Sequence, residues 1–344
     1  MVELPAPSRE SATLPAAWRT GWPWTADMVP PTPAPGEWPR ITVVTPSYNQ
    51  APYLEATLRS VLLQGYPDLE YIVVDGGSTD STRDLLEAYG DHLSWRVSEP
   101  DGGQSHAINK GFARATGRIF AYLNSDDVFE PGALFACAEA FRAGARWVVG
   151  RVNFWTDDGR LEPVPALPGH GLSRWLMSCP VAQPGSLWAA ELHPRAGPFR
   201  EDLHFFMDYE FWLRLRVAER INPVWLDRNV ARYRLHAGSK TIGQTDEFRR
   251  EAKAIVAAFE AQLSGVERAR LRLARRRRAG FVRGREAVDL LYNGAPGKAA
   301  GRLLSAVAAW PPVLLDPHTI PALRQRLRQG GADAPETDLF PPYW

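Results

Sequence analysis

The stretch that decides the fold is ITVVTPSYNQAPYLEATLRSVLLQGYPDLEYIVVDGGSTDST, residues 41–82. Residues 41–45 and 71–75 are short apolar runs rich in β-branched residues, which is the composition of a buried strand. Between them, residues 53–64 repeat leucine and valine at the spacing of one helical face. A strand, a helix and a second strand in this order predict two parallel strands joined by a right-handed crossover.

The same alternation continues along the following sixty or so residues. Further strands are predicted at 93–98 and 118–123, and further helices at 81–89, 104–115, 131–142 and 206–220. We therefore predict an α/β fold with a mostly parallel sheet flanked by helices. In such a sheet, ligands bind beyond the carboxyl ends of the strands.

Composition divides the chain into three parts. Residues 1–39 are rich in proline, so we expect an arm that packs on the surface or stays mobile and carries no chemistry. Residues 40–245 hold the α/β pattern, and residues 246–344 read as a helical extension. From residue 265 onward there are 14 basic and 7 acidic residues, against 26 and 32 before it. Such a basic tail is typical of a solvated helix face or of a surface that meets an anionic partner.

Length and composition exclude several classes of protein. The 344 residues are 45% apolar and 23% charged, which is typical of a globular chain with a large core. Two cysteines, Cys137 and Cys179, are too few for a disulfide framework or a cysteine-based zinc site. No apolar run approaches the ~18–20 residues of a membrane span, and the amino terminus has no signal-like pattern. We therefore expect a cytoplasmic protein.

Polar residues cluster directly after three of the predicted strands, at 45–49 (TPSYN), 75–80 (DGGSTD) and 124–127 (NSDD). Each cluster alone is typical of an ordinary turn. Together, at one rim of a parallel sheet, they offer an aromatic ring, free backbone amides and carboxylates. These groups suit a nucleotide, because they allow base stacking, hydrogen bonds and a cation for the diphosphate.

Five segments in this order resemble the family 2 glycosyltransferases. They are residues 41–82, SEPDGGQSHAINKGFARATG at 98–117, AYLNSDD at 121–127, QPGSLW at 183–188 and MDYEFWLRL at 207–215. The resemblance covers about 200 residues, from residue 40 to residue 236. It implies the Rossmann-like GT-A fold for residues 40–245, and transfer of a sugar from a nucleotide-sugar donor.

The resemblance also implies which residues hold the donor, for which a UDP-sugar is expected. Pro46 and Tyr48 match residues that line the nucleobase pocket, and Asp75 matches a carboxylate that faces the base. The full set implied to bind the nucleotide sugar is Pro46, Tyr48, Asn49, Asp75, Asp101, Gly103, Gln104, Asn109, Lys110 and Ser125.

A divalent cation, Mn²⁺ or Mg²⁺, is implied at the diphosphate. Asp126 matches the final acid of the family's Asp-X-Asp motif, whereas Asn124 replaces the first acid, so we expect weaker metal affinity. His236 matches a histidine that closes over the metal, although a lone histidine in a polar loop is as often a surface residue. Arg234 and Lys240 belong to the same loop and are expected to meet the diphosphate.

Asp208 matches the catalytic base of the family. A hydroxyl acceptor attacks more readily when a carboxylate takes its proton, and a single displacement of this kind inverts the anomeric centre. From pattern alone, Asp208 is equally well a first-turn helix residue, and Glu210 is the second candidate. Gln183, Pro184 and Trp188 match the floor of the acceptor cleft, with a buried strand as the alternative.

The resulting hypothesis is a metal-dependent inverting glycosyltransferase that uses a hydroxyl of a glycan or lipid-linked acceptor in polysaccharide synthesis. No nucleic acid partner is expected. The basic C-terminal region is expected either to lie at the inner face of a membrane or to mediate self-association.

Three alternatives compete with this hypothesis. The first is an inactive glycosyltransferase-like scaffold that docks through the basic tail, for which Asn124 speaks slightly. The second is a sugar-phosphate nucleotidyltransferase, which requires a glycine-rich basic loop where this chain has TPSYNQAPY. The third, a dinucleotide-dependent oxidoreductase, lacks its G-x-G-x-x-G motif after the first strand.

Overall fold

The computed structural model describes residues 4–25, 37–164, 171–236, 238–239 and 246–314. Lys240 and residues 26–36 and 315–344, on which sequence predictions fall, lie outside the described residues. The chain forms two compact units. The first combines Met1–Gly169 with Pro180–Ala252, and the second combines His170–Cys179 with Lys253–Trp344.

The first half of the sheet is parallel, as the sequence predicts. Its elements are β1 (Ile41–Ser47), α1 (Ala51–Leu62), β2 (Leu69–Asp75), α2 (Thr82–Ala88), β3 (Trp95–Ser98), α3 (Gln104–Phe112) and β4 (Ile119–Tyr122). Strand β1 lies between β2 and β4 and is parallel to both, and β3 is parallel to β2. Leu54, Leu58 and Val61 of α1 are fully buried, so the predicted apolar face of this helix is confirmed.

The second half of the sheet is mixed. Its elements are β5 (Val128–Phe129), α4 (Ala133–Arg142), β6 (Trp147–Trp155), β7 (Leu161–Pro163), α5 (Leu172–Trp175), β8 (Ser186–Ala189), α6 (Leu192–Ala196), α7 (Met207–Leu213) and β9 (Val224–Arg234). Strand β8 is antiparallel to both β4 and β6, whereas β9 is parallel to β6. The helix predicted at 206–220 is α7 followed by a π-helical turn, Arg214–Ala218.

The order of the sheet is β3-β2-β1-β4-β8-β6-β9-β5, with β7 beside β6. The last residues of β1 and β2, Ser47 and Asp75, are register partners, so the loops after both strands start at the same rim. The loop after β3 closes against them at Gly77, whose φ is 81° and where a Cβ would lie 2.9 Å from the Pro100 nitrogen. Only glycine suits this position, because both the φ and the close approach exclude a side chain.

The described part of the proline-rich arm is packed against the first unit. It contains two 3₁₀ helices, Ser11–Thr13 and Ala16–Trp18. The side chains of Leu14, Trp18 and Trp22 are buried, with 2% of each tryptophan exposed. A buried aromatic side chain of this size contributes about 1.5–3 kcal/mol or more. This segment is therefore part of the core, which proline content alone does not indicate.

Three helices follow the sheet, namely α8 (Asp246–Glu260), α9 (Gly265–Tyr292) and α10 (Pro296–Ala309). Ser264 and Glu267 form a reciprocal capping box at the start of α9, and Pro296 occupies the first turn of α10, where its missing N–H costs nothing. The predicted C-terminal helical region is thus confirmed. Within the described residues, none of the helices combines the length and the apolar character needed to cross a membrane.

Candidate active site

A cavity of about 650 Å³ opens at the rim of the sheet, within the size range of small-molecule sites. It receives residues from the loops after β1, β2, β3 and β4 and from the end of β9. The lining residues are Pro46, Ser47, Tyr48, Gln50, Gly76, Pro100, Asp101, Gly103, Gln104, Ala107, Asn124, Ser125, Asp126, Tyr233, Gly238 and Ser239. The three polar clusters found in the sequence therefore meet around one cavity.

Seven of the residues predicted to bind donor or metal line this cavity: Pro46, Tyr48, Asp101, Gly103, Gln104, Ser125 and Asp126. Tyr48 is 60% exposed, which is unusual for a large aromatic side chain and leaves its ring available for stacking. Asp101 accepts a hydrogen bond from the Gly103 N–H at 2.7 Å, which holds the loop after β3 in place.

Asn49 and Asp75 do not line the cavity; they organise its loops. The side-chain oxygen of Asn49 accepts from the Thr79 N–H at 2.8 Å, and its own N–H donates to Ser78 Oγ at 2.7 Å. Asp75 is fully buried and accepts from the Ser78 N–H and from the Ser78 and Ser98 hydroxyls. A carboxylate enclosed in this way has no exposed surface with which to contact a nucleobase. Instead of the predicted contact, Asp75 stabilises the loops through its hydrogen bonds to Ser78 and Ser98.

Asn109 and Lys110 also point elsewhere. The side-chain amide of Asn109 donates to the Phe199 carbonyl and accepts from the Phe199 N–H, both at 2.8 Å. This clamp fixes the segment that leads into α7. Lys110 forms an ion pair with Glu99. Neither residue lines the cavity, because the side chain of each is engaged with a partner outside it.

The predicted metal residues are adjacent. Asp126 Oδ2 and His236 Nε2 lie 3.0 Å apart, although the residues are 110 positions apart in sequence. The ring of Tyr53 stacks on His236 with centroids 4.4 Å apart, which fixes the plane of the imidazole. Carboxylate and imidazole are donor types that suit Mn²⁺. Among the described residues no third His, Cys, Asp or Glu joins them. The pair thus fits a cation that also takes oxygen ligands from water or a phosphate.

Asn124 belongs to a row of three side-chain amides. Its Oδ1 accepts from Gln104 Nε2 at 2.7 Å, and its Nδ2 donates to Gln183 Oε1 at 3.2 Å. Gln183 in turn donates to the Tyr122 carbonyl at 2.8 Å. A residue that both donates and accepts is needed in the middle of this row. An ionised Asp accepts only, and would set its charge against Gln183 Oε1. This is a structural reason for Asn at the first position of the motif.

Arg234 does not reach the cavity, which corrects the prediction that it meets a diphosphate. Its side chain is fully buried among the rings of Trp18, Tyr53 and Trp155. Burial lowers the pKa of the guanidinium to about 10. Its Nε donates to the Asp126 carbonyl at 2.8 Å, so Arg234 holds the backbone of the predicted metal ligand.

Asp127, next to the metal residue, is buried and was not singled out from the sequence. Its Oδ1 accepts from the Arg234 N–H at 3.0 Å. Burial raises the pKa of the Asp127 carboxyl well above its usual value, and the charge of Asp126 adds to this effect. Asp127 therefore joins the end of β9 to the loop after β4 rather than facing the cavity.

Asp208 and Glu210 lie in very different surroundings. Asp208 is half-buried in the first turn of α7, and Met207 beside it is hydrogen-bonded to Ser105, the neighbour of the cavity residue Gln104. Glu210 is 5% exposed and is paired with Arg214, whose Nε and Nη2 both lie 2.9 Å from its Oε2. Glu210 thus forms an ion pair inside the fold. Of the two candidates for the catalytic base, Asp208 is the one that is partly exposed.

The predicted acceptor residues are mostly core. Trp188 has no exposed surface and packs against Phe211 and Trp212, with ring centroids 5.2 and 5.4 Å away. A ring without exposed surface cannot stack on a sugar, so this prediction is wrong. Pro184 is buried as well, and the side chain of Gln183 is hydrogen-bonded to Asn124 in the row of amides. Aromatic and apolar residues of a strand are more often core than binding surface.

Sequence reasoning missed Tyr53, Tyr233 and Trp18. Tyr233 lines the cavity and directly precedes Arg234, so the motif around His236 was a usable signal. Tyr53 lies in the first turn of α1, where the sequence shows only a helix start. Nothing in the sequence links Trp18 with β9, because that contact depends on the path of the arm.

The cavity lies beyond the carboxyl ends of the parallel strands, where open α/β sheets bind their ligands. A model for the family described as glycosyl transferase family 2 matches residues 42–186. An uncharacterized glycosyltransferase of Mycobacterium tuberculosis is 31% identical over 183 residues, which is 51% of this chain and 68% of that protein. The chain belongs to glycosyltransferase family 2, a family of transferases.

Solved structures agree on the GT-A fold. The 1–349 segment of S. aureus TarS in complex with UDP has a TM-score of 0.52 and 20% identity, covering 85% of this chain and 92% of that one. Mannosyltransferase PcManGT of Pyrobaculum calidifontis, in complex with GDP-Man and Mn²⁺, has a TM-score of 0.50 and 19% identity, covering 87% and 82%. Of two further curated glycosyltransferases, the chain spans only 47% and 36% of the length.

Proposed function

We propose that this chain transfers a sugar from a nucleotide-sugar donor, with UDP as the expected nucleotide, to a hydroxyl of a glycan or lipid-linked acceptor in polysaccharide synthesis. The charge of the cavity carries the proposal. Among the described residues, two of those that line it are Asp and none is Lys or Arg. Within this described lining a diphosphate meets no side chain of fixed positive charge, so a cation would favour its binding, and Asp126 with His236 is where one fits.

Metal dependence, with Mn²⁺ or Mg²⁺, follows from this charge argument. Asp126 and His236 would hold the cation, and Tyr53 keeps the His236 ring in plane. When bound, the cation neutralises the charge that develops on the departing nucleoside diphosphate. The Mn²⁺ bound together with GDP-Man in the Pyrobaculum enzyme supports this part of the proposal.

An inverting reaction follows from the carboxylates. Asp208 is the proposed base, which takes the proton of the acceptor hydroxyl as that oxygen bonds to the anomeric carbon. A double displacement requires a second carboxylate as nucleophile about 5 Å from the first. Glu210 is unsuited to that role, since it is paired with Arg214 in the interior. A single displacement, with inversion, is therefore the simplest chemistry for these residues.

Two of the three alternatives, the inactive scaffold and the nucleotidyltransferase, lose support. The scaffold hypothesis rested on Asn124, but the amide row gives that residue a structural reason that is independent of catalysis. A sugar-phosphate nucleotidyltransferase handles a triphosphate, which makes basic residues near the phosphates more necessary still. Among the described residues that line the cavity, none is basic.

Calorimetric titration tests this function. UDP, GDP and dTDP are each added to the full chain with and without Mn²⁺. We expect one nucleotide, UDP, to bind only in the presence of the metal, because the described lining of the cavity has acidic side chains and neither Lys nor Arg. Binding of no nucleotide contradicts the transferase proposal. Equal binding without metal contradicts the cation argument alone.

A peripheral position at the cytoplasmic face of a membrane is a second proposal. Val266, Arg270, Leu273 and Arg277 are exposed on α9 at the spacing of one helical face. A stripe of apolar and basic residues suits an anionic lipid surface, where each basic residue adds about 1 kcal/mol. Self-association through this region is the alternative use of the same stripe.

Liposome flotation distinguishes these uses. We expect the chain to float with vesicles that contain acidic phospholipid, less so at high salt, and not with neutral vesicles. The variant Arg270→Glu should lower the floating fraction, whereas the exposed Arg160→Glu in the first unit should not. Flotation insensitive to acidic lipid and to salt contradicts the membrane proposal.

A further inference from the structure

The N-terminal segment is fastened to α1 by a buried acid. Glu55 of α1 has no exposed surface, and its Oε2 accepts from both the N–H and the hydroxyl of Ser8, at 2.9 and 2.6 Å. Arg59, one turn further on, donates to the Pro5 carbonyl at 3.1 Å. Hydrogen bonds to charged groups are among the stronger ones, especially when buried. The segment therefore follows a defined path over the helix.

Two tryptophans anchor the rest of the segment. The indole N–H of Trp18 donates to the Thr156 carbonyl at 2.6 Å, and that of Trp22 donates to the Phe129 carbonyl at 2.7 Å. Trp18 also packs with Trp155 in a buried cluster. Each buried donor is thus satisfied, so the position of both rings is specified by geometry as well as by burial.

Trp18 forms one wall of the cage around Arg234. The guanidinium carbon lies 4.7 Å from the Trp18 ring centre, 4.6 Å from that of Trp155 and 5.3 Å from that of Tyr53. Among the described residues, neither terminal nitrogen of Arg234 has a hydrogen-bond partner. The terminal guanidinium nitrogens therefore contact the faces of the aromatic rings. Cation–π contacts are stronger when they are desolvated than when they are exposed.

Two routes lead from Trp18 to the pair of proposed metal ligands. One passes through Arg234, whose Nε holds the Asp126 carbonyl. The other passes through Tyr53, which meets the Trp18 ring edge-on at 6.3 Å and stacks on His236. Both ligands, the carboxylate and the imidazole, are therefore supported by groups that rest on a single ring of the N-terminal segment.

We infer that the N-terminal segment is part of the catalytic apparatus, with Trp18 as a positioning residue that sets Asp126 and His236 at their mutual distance through Arg234 and Tyr53. The role of the pair as metal ligands rests on the proposed function. The positioning itself does not, because it follows from contacts within the chain.

Three variants test the inference. Trp18→Leu removes the π face, and Trp18→Phe keeps one. Trp147→Leu is the matched control, since Trp147 is equally buried and its indole N–H also donates a hydrogen bond, to Ser186 Oγ; both residues lie outside the cage and outside positions 126–128 and 232–236. Hydrogen exchange is followed for peptides that cover residues 126–128 and 232–236, and Mn²⁺-dependent UDP affinity is measured by calorimetry. Thermal unfolding of all three variants reports general stability.

We expect Trp18→Leu to speed amide exchange in both peptides and to weaken Mn²⁺-dependent UDP binding by about tenfold. Trp18→Phe should show exchange and UDP affinity close to those of the unmodified chain, and Trp147→Leu should lower thermal stability with little change in either readout. Equal exchange for Trp18→Leu and Trp147→Leu overturns the positioning role. Absence of UDP binding in the unmodified chain counts against the proposed function instead, and leaves the exchange result to decide the inference.

Discussion

Replacing Asp126 with asparagine is expected to abolish metal-dependent donor binding. Among the described residues, Asp126 is the one carboxylate beside His236 that also lines the cavity. The asparagine keeps the shape of the side chain but loses the charge, and a cation held by one imidazole alone binds weakly. Even changes in residues that merely support metal ligands cost 10- to 100-fold, so we expect Mn²⁺-dependent UDP affinity to fall by at least about 100-fold.

The control for this experiment is Asp227→Asn. Asp227 lies on β9 as Arg234 does, but its side chain is 80% exposed and pairs with Arg151 on the surface. We expect no change in UDP affinity for this variant, because exposed ion pairs contribute little. If Asp126→Asn retains Mn²⁺-dependent UDP binding, the cation lies elsewhere.

Replacing Asp208 with asparagine is expected to stop transfer while the donor still binds. The amide cannot accept the proton of the attacking hydroxyl, and general base catalysis of this kind is worth about 10²–10⁴-fold. Asp208 does not line the donor cavity, so UDP affinity should stay within about twofold of the unmodified chain. The measurement pairs initial rates of sugar transfer with calorimetric titration of UDP.

Asp202→Asn serves as the control for the base. Asp202 is an exposed carboxylate in the segment before α7, where it pairs with Arg200. Loss of activity in both variants would point to a disturbed segment rather than to a missing base. Near-normal turnover of Asp208→Asn would remove the base assignment, and Glu210 would be a poor replacement, because its Oε2 is paired with Arg214 in the interior.

The parallel half of the fold was predictable because its signals are local. Strands β1 and β2 and helix α1 each carry their own apolar pattern, and the crossover rule then fixes their arrangement. A buried strand at residues 183–188 was one interpretation of the sequence, but the antiparallel pairing of β8 was not predicted, because a four-residue buried strand shows no periodicity that reveals its direction. Its neighbours in the sheet are distant in sequence.

Site residues were predictable where the position on a strand end decides what they face. Asp126 and Tyr48 follow strand ends and line the cavity, as expected from the sheet, whereas Asp75 and Asn49 at the same rim are bonded within the loops. Asn109 and Lys110 lie on a helix, where one step in sequence turns a side chain by about 100°, so the residue type does not tell which way it points. The cage of Arg234 was beyond prediction, since its walls come from three separate parts of the chain.

The contact between Trp18 and Arg234 also bears on how the protein is made. Arg234 leaves the ribosome 216 residues after Trp18. At about 5–20 residues per second, translation takes roughly 10–40 s to cover that distance. During this interval the Trp18 ring lacks its contact with the Arg234 guanidinium. Synthesis therefore passes through a stage in which this face of the Trp18 ring is open to chaperones and to other nascent chains.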